Sequence, residues 1–282
     1  MTAANGADTT VVVLGSSSGV PTATRGNAAQ VLRRLGKTYL VDCGEPVTQA
    51  LLRAGIDPLG LTAVFLTHLH IDHLGGLPQL VQTLQIRGRT QPLPVYLPAE
   101  GLTPLAAFLE MVYLSPDLLP FPLRLIGNGP GELYADGVVR VLAHRNDHLQ
   151  ALRGRAGDVA VKHPGWALES RSLVVEAGEE RIVFSGDLRG PEELTPLLAE
   201  ATALVCELVH FAPAALYPIL ERGPRLRDVI LTHFHPNVEG RAEEIMAEAR
   251  RRLPEGARVH WAADGLAVPL AGAVASQLPL MV

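Results

Sequence analysis

Only two cysteines occur in 282 residues, so no disulfide framework supports the fold. Cys43 and Cys206 both lie in apolar, strand-like segments, YLVDCGE and ALVCELV, and read as small buried hydrophobes. The opening residues, MTAANGADTT, lack the basic start and apolar run of a secretory leader. Pro269, Gln277 and Pro279 cut the apolar stretch 266–282 below the length that spans a bilayer. No membrane association and a cytoplasmic location are therefore expected. Basic charge is not in excess either. The 24 Lys and Arg against 29 Asp and Glu leave a net charge of −5, which gives no electrostatic footprint for bulk nucleic-acid binding. No Gly-Lys-Ser/Thr follows the glycine-rich run at 15–19, which excludes a nucleotide P-loop and leaves a tight turn at the rim of a site.

What is present suits a compact core with a thin charged coat: 48% of residues are apolar, 19% are charged and mean hydropathy is +0.20. A chain of this size buries roughly three quarters of its unfolded surface. With no low-complexity linker, residues 1–282 read as one domain. Strands are expected at 11–14, 38–41, 63–66, 95–97, 138–142, 173–176, 182–184, 203–206 and 229–231. Helices are expected at 74–86, 104–113, 192–200, 212–221 and 239–253, the last capped by Asn237 and stopped by Pro254. Hairpin-like pairs among the strands argue against a simple βαβ ladder. Residues 149–162 read as an exposed insertion. An internal echo joins the halves, because AVFLTHLH at 63–70 and DVILTHFH at 228–235 are both buried-strand patterns ending in Thr-His-x-His.

The strongest chemical signal is Thr67-His68-Leu69-His70-Ile71-Asp72-His73-Leu74-Gly75-Gly76. In extended chain, residues two apart share a face, so His68 and His70 converge on one ion. The glycines let the backbone turn, swinging Asp72 and His73 toward a neighbouring point. Imidazoles with a carboxylate suit zinc, manganese or iron better than calcium or magnesium. Four ligands at one turn do not close two metal sites. Asp187, after the apolar strand at 181–184, fits a bridging role, and His233 in Thr232-His233-Phe234-His235 is preferred over His235 by analogy with the first half.

With these residues in place, the chain resembles the metallo-β-lactamase-fold hydrolases, and within them the ribonuclease Z-like branch. The resemblance rests on His68-x-His70-x-Asp72-His73 with Asp187 and His233 downstream. It extends to the loop Gly15-Ser16-Ser17-Ser18-Gly19-Val20-Pro21-Thr22, to Asp42-Cys43-Gly44-Glu45 and to Ala263-Asp264-Gly265. It implies an α/β, four-layer αβ/βα sandwich with a dinuclear metal site at the sheet edges. It also implies a third metal histidine, for which His144, His148 and His163 compete. The spacing after strand 139–143 favours His148, whereas spacing to the next strand, with Arg171 in register, favours His163. On the favoured mapping one ion takes His68, His70 and His148, the other takes Asp72, His73 and His233, and Asp187 bridges them. Two divalent ions, zinc before manganese or iron, would share a hydroxide as nucleophile. Asp42 reads either as the residue that orients a metal-bound histidine or as a turn aspartate. Asp72 and His210 are the candidate catalytic residues. His210 acts as acid or substrate contact, with Glu207 holding its tautomer, unless it is simply a structural histidine.

The family's tRNA-processing members carry a long glycine- and proline-rich arm ahead of the bridging aspartate, where this chain has only the short link 177–181. Gly186-Asp187-Leu188 and Thr232-His233-Phe234-His235 also depart from the usual motifs. The expected activity is phosphodiester hydrolysis of a small or nucleotide-like substrate, with precursor tRNA in doubt. Hydrolysis of a carboxylic or sulfuric ester, a lactone or a β-lactam is the alternative on the same metals. A non-catalytic metal-binding scaffold is the third reading. The apolar tail 278–282 is a candidate homodimer contact.

Overall fold

The computed structural model describes residues 9–150, 152 and 159–270. Two seven-stranded mixed sheets face each other. The first contains β1 (Thr10–Gly15), β2 (Ala29–Arg34), β3 (Lys37–Val41), β4 (Leu61–Phe65), β5 (Leu93–Pro98) and β6 (Leu123–Asn128). The second contains β7 (Gly131–Ala135), β8 (Arg140–Asn146), β9 (Ser170–Ala177), β10 (Glu180–Phe184), β11 (Ala203–Leu208), β12 (Asp228–Phe234) and β13 (Arg258–Trp261). The final strand, β14 (Ala267–Pro269), returns to the first sheet and pairs antiparallel with β1.

Period-two patterning explains the layering. Val11 and Val13 of β1 join Tyr39, Phe65, Val141 and Val175 in the core between the sheets. Their neighbours Val12 and Leu14 face the other way, onto α1 (Val47–Arg53), α3 (Leu77–Ile86) and α4 (Leu102–Met111). On the far side of the second sheet lie α5 (Pro213–Leu220) and α6 (Ala242–Arg250), whose Leu216, Leu220, Ile245 and Ala249 are buried. The order is helix, sheet, sheet, helix. At one end of the inter-sheet core, Asp136 accepts hydrogen bonds from Tyr39 Oη (2.8 Å), Tyr134 Oη (2.9 Å) and Lys37 Nζ (2.7 Å). Burial alone would raise its pKa, but these bonds hold the carboxyl below the usual carboxylate range.

Strands β3 to β6 run parallel, as do β10 to β13, and their C-terminal ends share one edge of the sandwich. Strand β8 points the same way, since it pairs antiparallel with β9, which pairs antiparallel with β10. Open α/β sheets bind ligands outside such ends.

Several local expectations need correction. The helix expected at 74–86 is two helices, α2 (Ile71–Leu74) and α3, divided at Gly75-Gly76. A Cβ at Gly76 would meet the carbonyl oxygens of Cys43 and Gly44 at 2.9 and 3.0 Å, so the close approach requires glycine. The helix expected from 239 begins as a 3-10 turn, Pro236–Arg241, and becomes α-helical only at Ala242. His235, not Asn237, supplies the side-chain cap by accepting from the Asn237 amide. Strand β8 extends to Asn146, beyond the apolar stretch, because His144, Arg145 and Asn146 pair with Ser172, Arg171 and Ser170. The insertion is not wholly exposed: Leu149 is buried and packs with Leu152 and Leu168. Its residues 151 and 153–158 lie outside the described residues, as do the opening residues 1–8 and the candidate homodimer contact at 278–282. Among the described residues, no helix is long and apolar enough to cross a membrane.

Candidate metal centre

The site begins at the end of β3, where Asp42 adopts a left-handed backbone conformation (φ 58°). Short polar side chains tolerate that region better than most. This turn aims a buried carboxylate at the loop after β4. Asp42 Oδ1 accepts from the Thr67 amide at 2.8 Å, and the Thr67 hydroxyl lies 3.0 Å from both carboxylate oxygens. His73 Nδ1 lies 2.8 Å from Asp42 Oδ2. A carboxylate only accepts, so His73 donates from Nδ1 and Nε2 is the nitrogen left to face a metal. Thr67 Oγ1, having given its proton to Asp42, accepts from His68 Nδ1 at 3.1 Å, which frees His68 Nε2 in the same way. One aspartate thus sets the tautomers of two inward-facing histidines, the second through a threonine.

Across the seam, β8 delivers His148, the end of β10 delivers Asp187 and β12 delivers His233. Ligand atoms of His68, His70, His148 and Asp187 all lie within 4.8 Å of one another, and so do those of Asp72, His73 and His233. Asp187 stands between the two groups. Its Oδ1 is 3.2 Å from both His73 Nε2 and His233 Nε2, while its Oδ2 is 3.7 Å from His68 Nε2 and 3.6 Å from His148 Nε2. Asp72 Oδ2 is 3.7 Å from His73 Nε2 and 3.8 Å from His233 Nε2.

Three of these buried atoms, His68 Nε2, His73 Nε2 and Asp187 Oδ1, have no hydrogen-bond partner. Each such orphan costs about 1–3 kcal/mol. Convergent imidazole nitrogens around one carboxylate are a poor packing solution for a protein alone and a good one for divalent ions. The donor set therefore fits two metals. Burial drives the pKa of His68, His70 and His148 down, to about 4 for His148, which keeps their nitrogens available as ligands. Burial acts on His73 in the same direction, yet Asp187 and Asp42 outweigh it and hold that pKa up. Burial would raise Asp187, but His233 and His73 hold it well below the usual carboxylate range.

His144 sits on β8 paired with Ser172, and His163 stacks on Trp166; neither joins the two groups. His235 is exposed and caps the following turn. Beside the first group stands His210, its ring centroid 4.5 Å from that of His148 and its side chain 34% exposed. Fully buried Glu207 accepts from the amides of Leu188, Val209 and His210 and from His210 Nδ1 at 2.9 Å. Burial disfavours protonation of His210, but Glu207, with Asp187, reverses the sign and raises its pKa.

The rim loop at 15–19 spends its polar groups internally. Ser16 Oγ donates to Asp264 at 2.7 Å, Ser17 Oγ donates to the Val20 carbonyl at 2.6 Å, and Asp264 also receives the Gly26 amide. It is a structural turn whose Gly19 lies against Asp72. The Thr67 relay to His68 escaped sequence reasoning, although the shared Thr-His pairs at 67–68 and 232–233 were its available signal.

The family model described as the metallo-beta-lactamase superfamily matches residues 25–218. Ribonuclease Z of Methanothermobacter thermautotrophicus is 43% identical over 287 aligned positions, covering 86% of this chain and 92% of the relative. Ribonuclease Z of Natronomonas pharaonis is 31% identical, covering 72% and 75% respectively. Among solved structures, human tRNase Z, short form, superposes with a TM-score of 0.69 at 23% identity, covering 93% of this chain and 99% of that one, a likeness of fold.

Proposed function

The chain belongs to the metallo-beta-lactamase superfamily and is a ribonuclease Z-like, metal-dependent hydrolase; on that premise we propose that it cleaves a compact, nucleotide-like phosphodiester with a pair of zinc ions. The observation that carries this reading is Asp187, one oxygen of which faces each group of ligands. His68, His70 and His148 would hold one ion and Asp72, His73 and His233 the other, with Asp187 shared. When bound, such a pair supplies an activated water and Lewis-acid stabilisation of the phosphoryl oxygens. The chain's own groups do the rest. Asp42 and Thr67 fix two ligand tautomers before any ion arrives. Glu207 holds His210 Nδ1, so Nε2 is the nitrogen from which His210 gives a proton to the departing alkoxide. Against burial, Glu207 and Asp187 raise the pKa of His210, which favours the protonated form that this role needs.

Substrate size follows from what flanks the site. Strands β9 and β10 are joined by only Gly178-Glu179, where tRNA-processing relatives would carry their gripping arm. The longest basic run, Arg250-Arg251-Arg252, is engaged: Arg250 with the Val259 carbonyl, Arg251 with Glu248, and Arg252 with Glu248 and Glu221. Binding of polyanions needs free clustered cations. The test is a panel of bis-p-nitrophenyl phosphate, precursor tRNA, aryl sulfate, lactone and nitrocefin. Turnover of the diester with poor precursor tRNA cleavage is expected. Efficient tRNA 3′ cleavage at physiological salt overturns the size argument, and turnover of lactone or nitrocefin alone overturns the phosphodiester.

A further inference from the structure

Beside the metal centre lies a cleft of about 810 Å³, within the range of small-molecule sites. His70 forms part of its wall, so the cleft opens directly onto the first ligand group. One side carries Leu69, which sits between His68 and His70, with Thr103 and Pro104. The other side is built by the end of the 149–168 segment, including Lys162, His163 and Trp166. The described residues of this segment are anchored by the Leu149–Leu152–Leu168 cluster.

Two features of this wall have no structural purpose yet assigned. The rings of His163 and Trp166 stack with centroids 4.0 Å apart and planes 10° from parallel, while Trp166 remains 52% exposed. A flat aromatic face left in water at the mouth of an active site is a ready stacking surface. The platform is also held in place. Glu100 accepts the Ala167 amide at 2.6 Å, the Leu168 amide at 3.1 Å and the Glu169 amide at 2.7 Å. Those bonds sustain Leu168 at φ 54°, a left-handed conformation that a leucine adopts only when its surroundings impose it. Buried Arg171 adds a bond to Glu169 at 2.5 Å. Pre-organised walls bind without the cost of ordering a loop.

We propose that this cleft is the subsite for the nucleobase of the substrate, with the Trp166–His163 pair as its stacking platform, Lys162 on the same wall and Glu100 as the positioning residue. The inference rests on the phosphodiester reading above and adds the identity of the diester's substituent. A planar ring is favoured over a flexible chain because the stacked pair leaves a flat aromatic face toward the cleft, and over a sugar because Leu69, Pro104, Leu149, Leu152 and Leu168 make much of the remaining wall apolar.

The chain has two tryptophans, and Trp261 stacks on Phe234 instead, so Trp261→Phe leaves Trp166 as sole reporter. Metal-loaded protein is titrated with AMP, ribose 5-phosphate and octyl phosphate while Trp166 emission is followed. AMP should quench it and bind about tenfold tighter than ribose 5-phosphate, since one stacked base contributes that much or more. Read as competitive inhibition of diester hydrolysis, which needs no tryptophan, the preference should be lost in Trp166→Ala and retained in Trp166→Phe. With 2′,3′-cyclic AMP as substrate, the loss in Glu100→Ala should fall on KM and not on kcat, with Glu100→Gln intermediate. Equal affinity for AMP and ribose 5-phosphate, or tightest binding of octyl phosphate, overturns the subsite. If bis-p-nitrophenyl phosphate is still hydrolysed in that case, the phosphodiester reading stands without it. Absence of diester turnover defeats the reading itself.

Discussion

Replacing Asp42 by Asn tests whether one buried carboxylate organises both metal positions. The substitution preserves volume, and Asn accepts the left-handed backbone at this position (φ 58°), so the turn itself should survive. What changes is chemistry. An amide presents one acceptor where the carboxylate uses both oxygens, on Thr67 and on His73. With its oxygen kept by the Thr67 amide, the amide nitrogen faces His73 Nδ1, which must then accept. The His73 proton moves to Nε2, the nitrogen that should coordinate. Loss of a partner that orients a ligand costs about 10- to 100-fold in metal affinity. That corresponds to about 1.4–2.8 kcal/mol. Thr67→Val removes the hydroxyl's bond to Asp42 and the link to His68 but leaves the Asp42–His73 bond, and should cost about tenfold or less. Competition against a chromophoric zinc chelator resolves both effects, with circular dichroism as the control for folding. Native affinity in a folded Asp42→Asn protein would refute the tautomer argument.

Asp187→Ala should lower metal content below two ions per chain and suppress turnover; two ions and a native rate, by metal analysis and steady-state assay, would remove the bridging role. His148→Ala should deplete the first ion while His163→Ala leaves metal content unchanged, and the reverse result would move the ligand to His163. His210→Ala should slow a substrate with a poor leaving group about 10²- to 10⁴-fold, the usual worth of a general acid, and much less for p-nitrophenolate, which leaves without a proton. The protonated form of His210 is the active one and its pKa is raised, so the rate should fall as pH climbs through that value. Glu207→Gln should move this alkaline limb down toward the ordinary histidine value of about 6.5, and a limb that stays put in a pH–rate profile would separate Glu207 from the proton donor.

The clustering of the candidate ligands at 68–73 was legible because their residue types are rare together and strand periodicity alone brings two of them to one face. Asp187 and His233 were legible as polar residues ending apolar strands. The choice among His144, His148 and His163 was not, since both flanking registers fitted and only the pairing of β8 with β9 separates them. Strands β2, β6, β7, β13 and β14 escaped notice for a physical reason: they are short or carry charges such as Arg33, Arg34 and Arg258, so their burial depends on neighbours distant in sequence. The split at Gly75-Gly76 likewise depends on Cys43 and Gly44 pressing against it, a contact no helical pattern announces.

The seam between the sheets has a consequence for assembly. Each ligand group draws on both halves: His68 and His70 meet His148, and Asp72 and His73 meet His233, more than 150 positions further along the chain. An ion that needs ligands from both halves binds the docked state far better than either half alone, and so acts as a rivet whose strength is set by free metal concentration. At 100 times its dissociation constant a single ion contributes about 2.7 kcal/mol. Thermal resistance of this protein is therefore a titratable quantity, and a cell short of metal would hold a population that is looser at the seam as well as inactive.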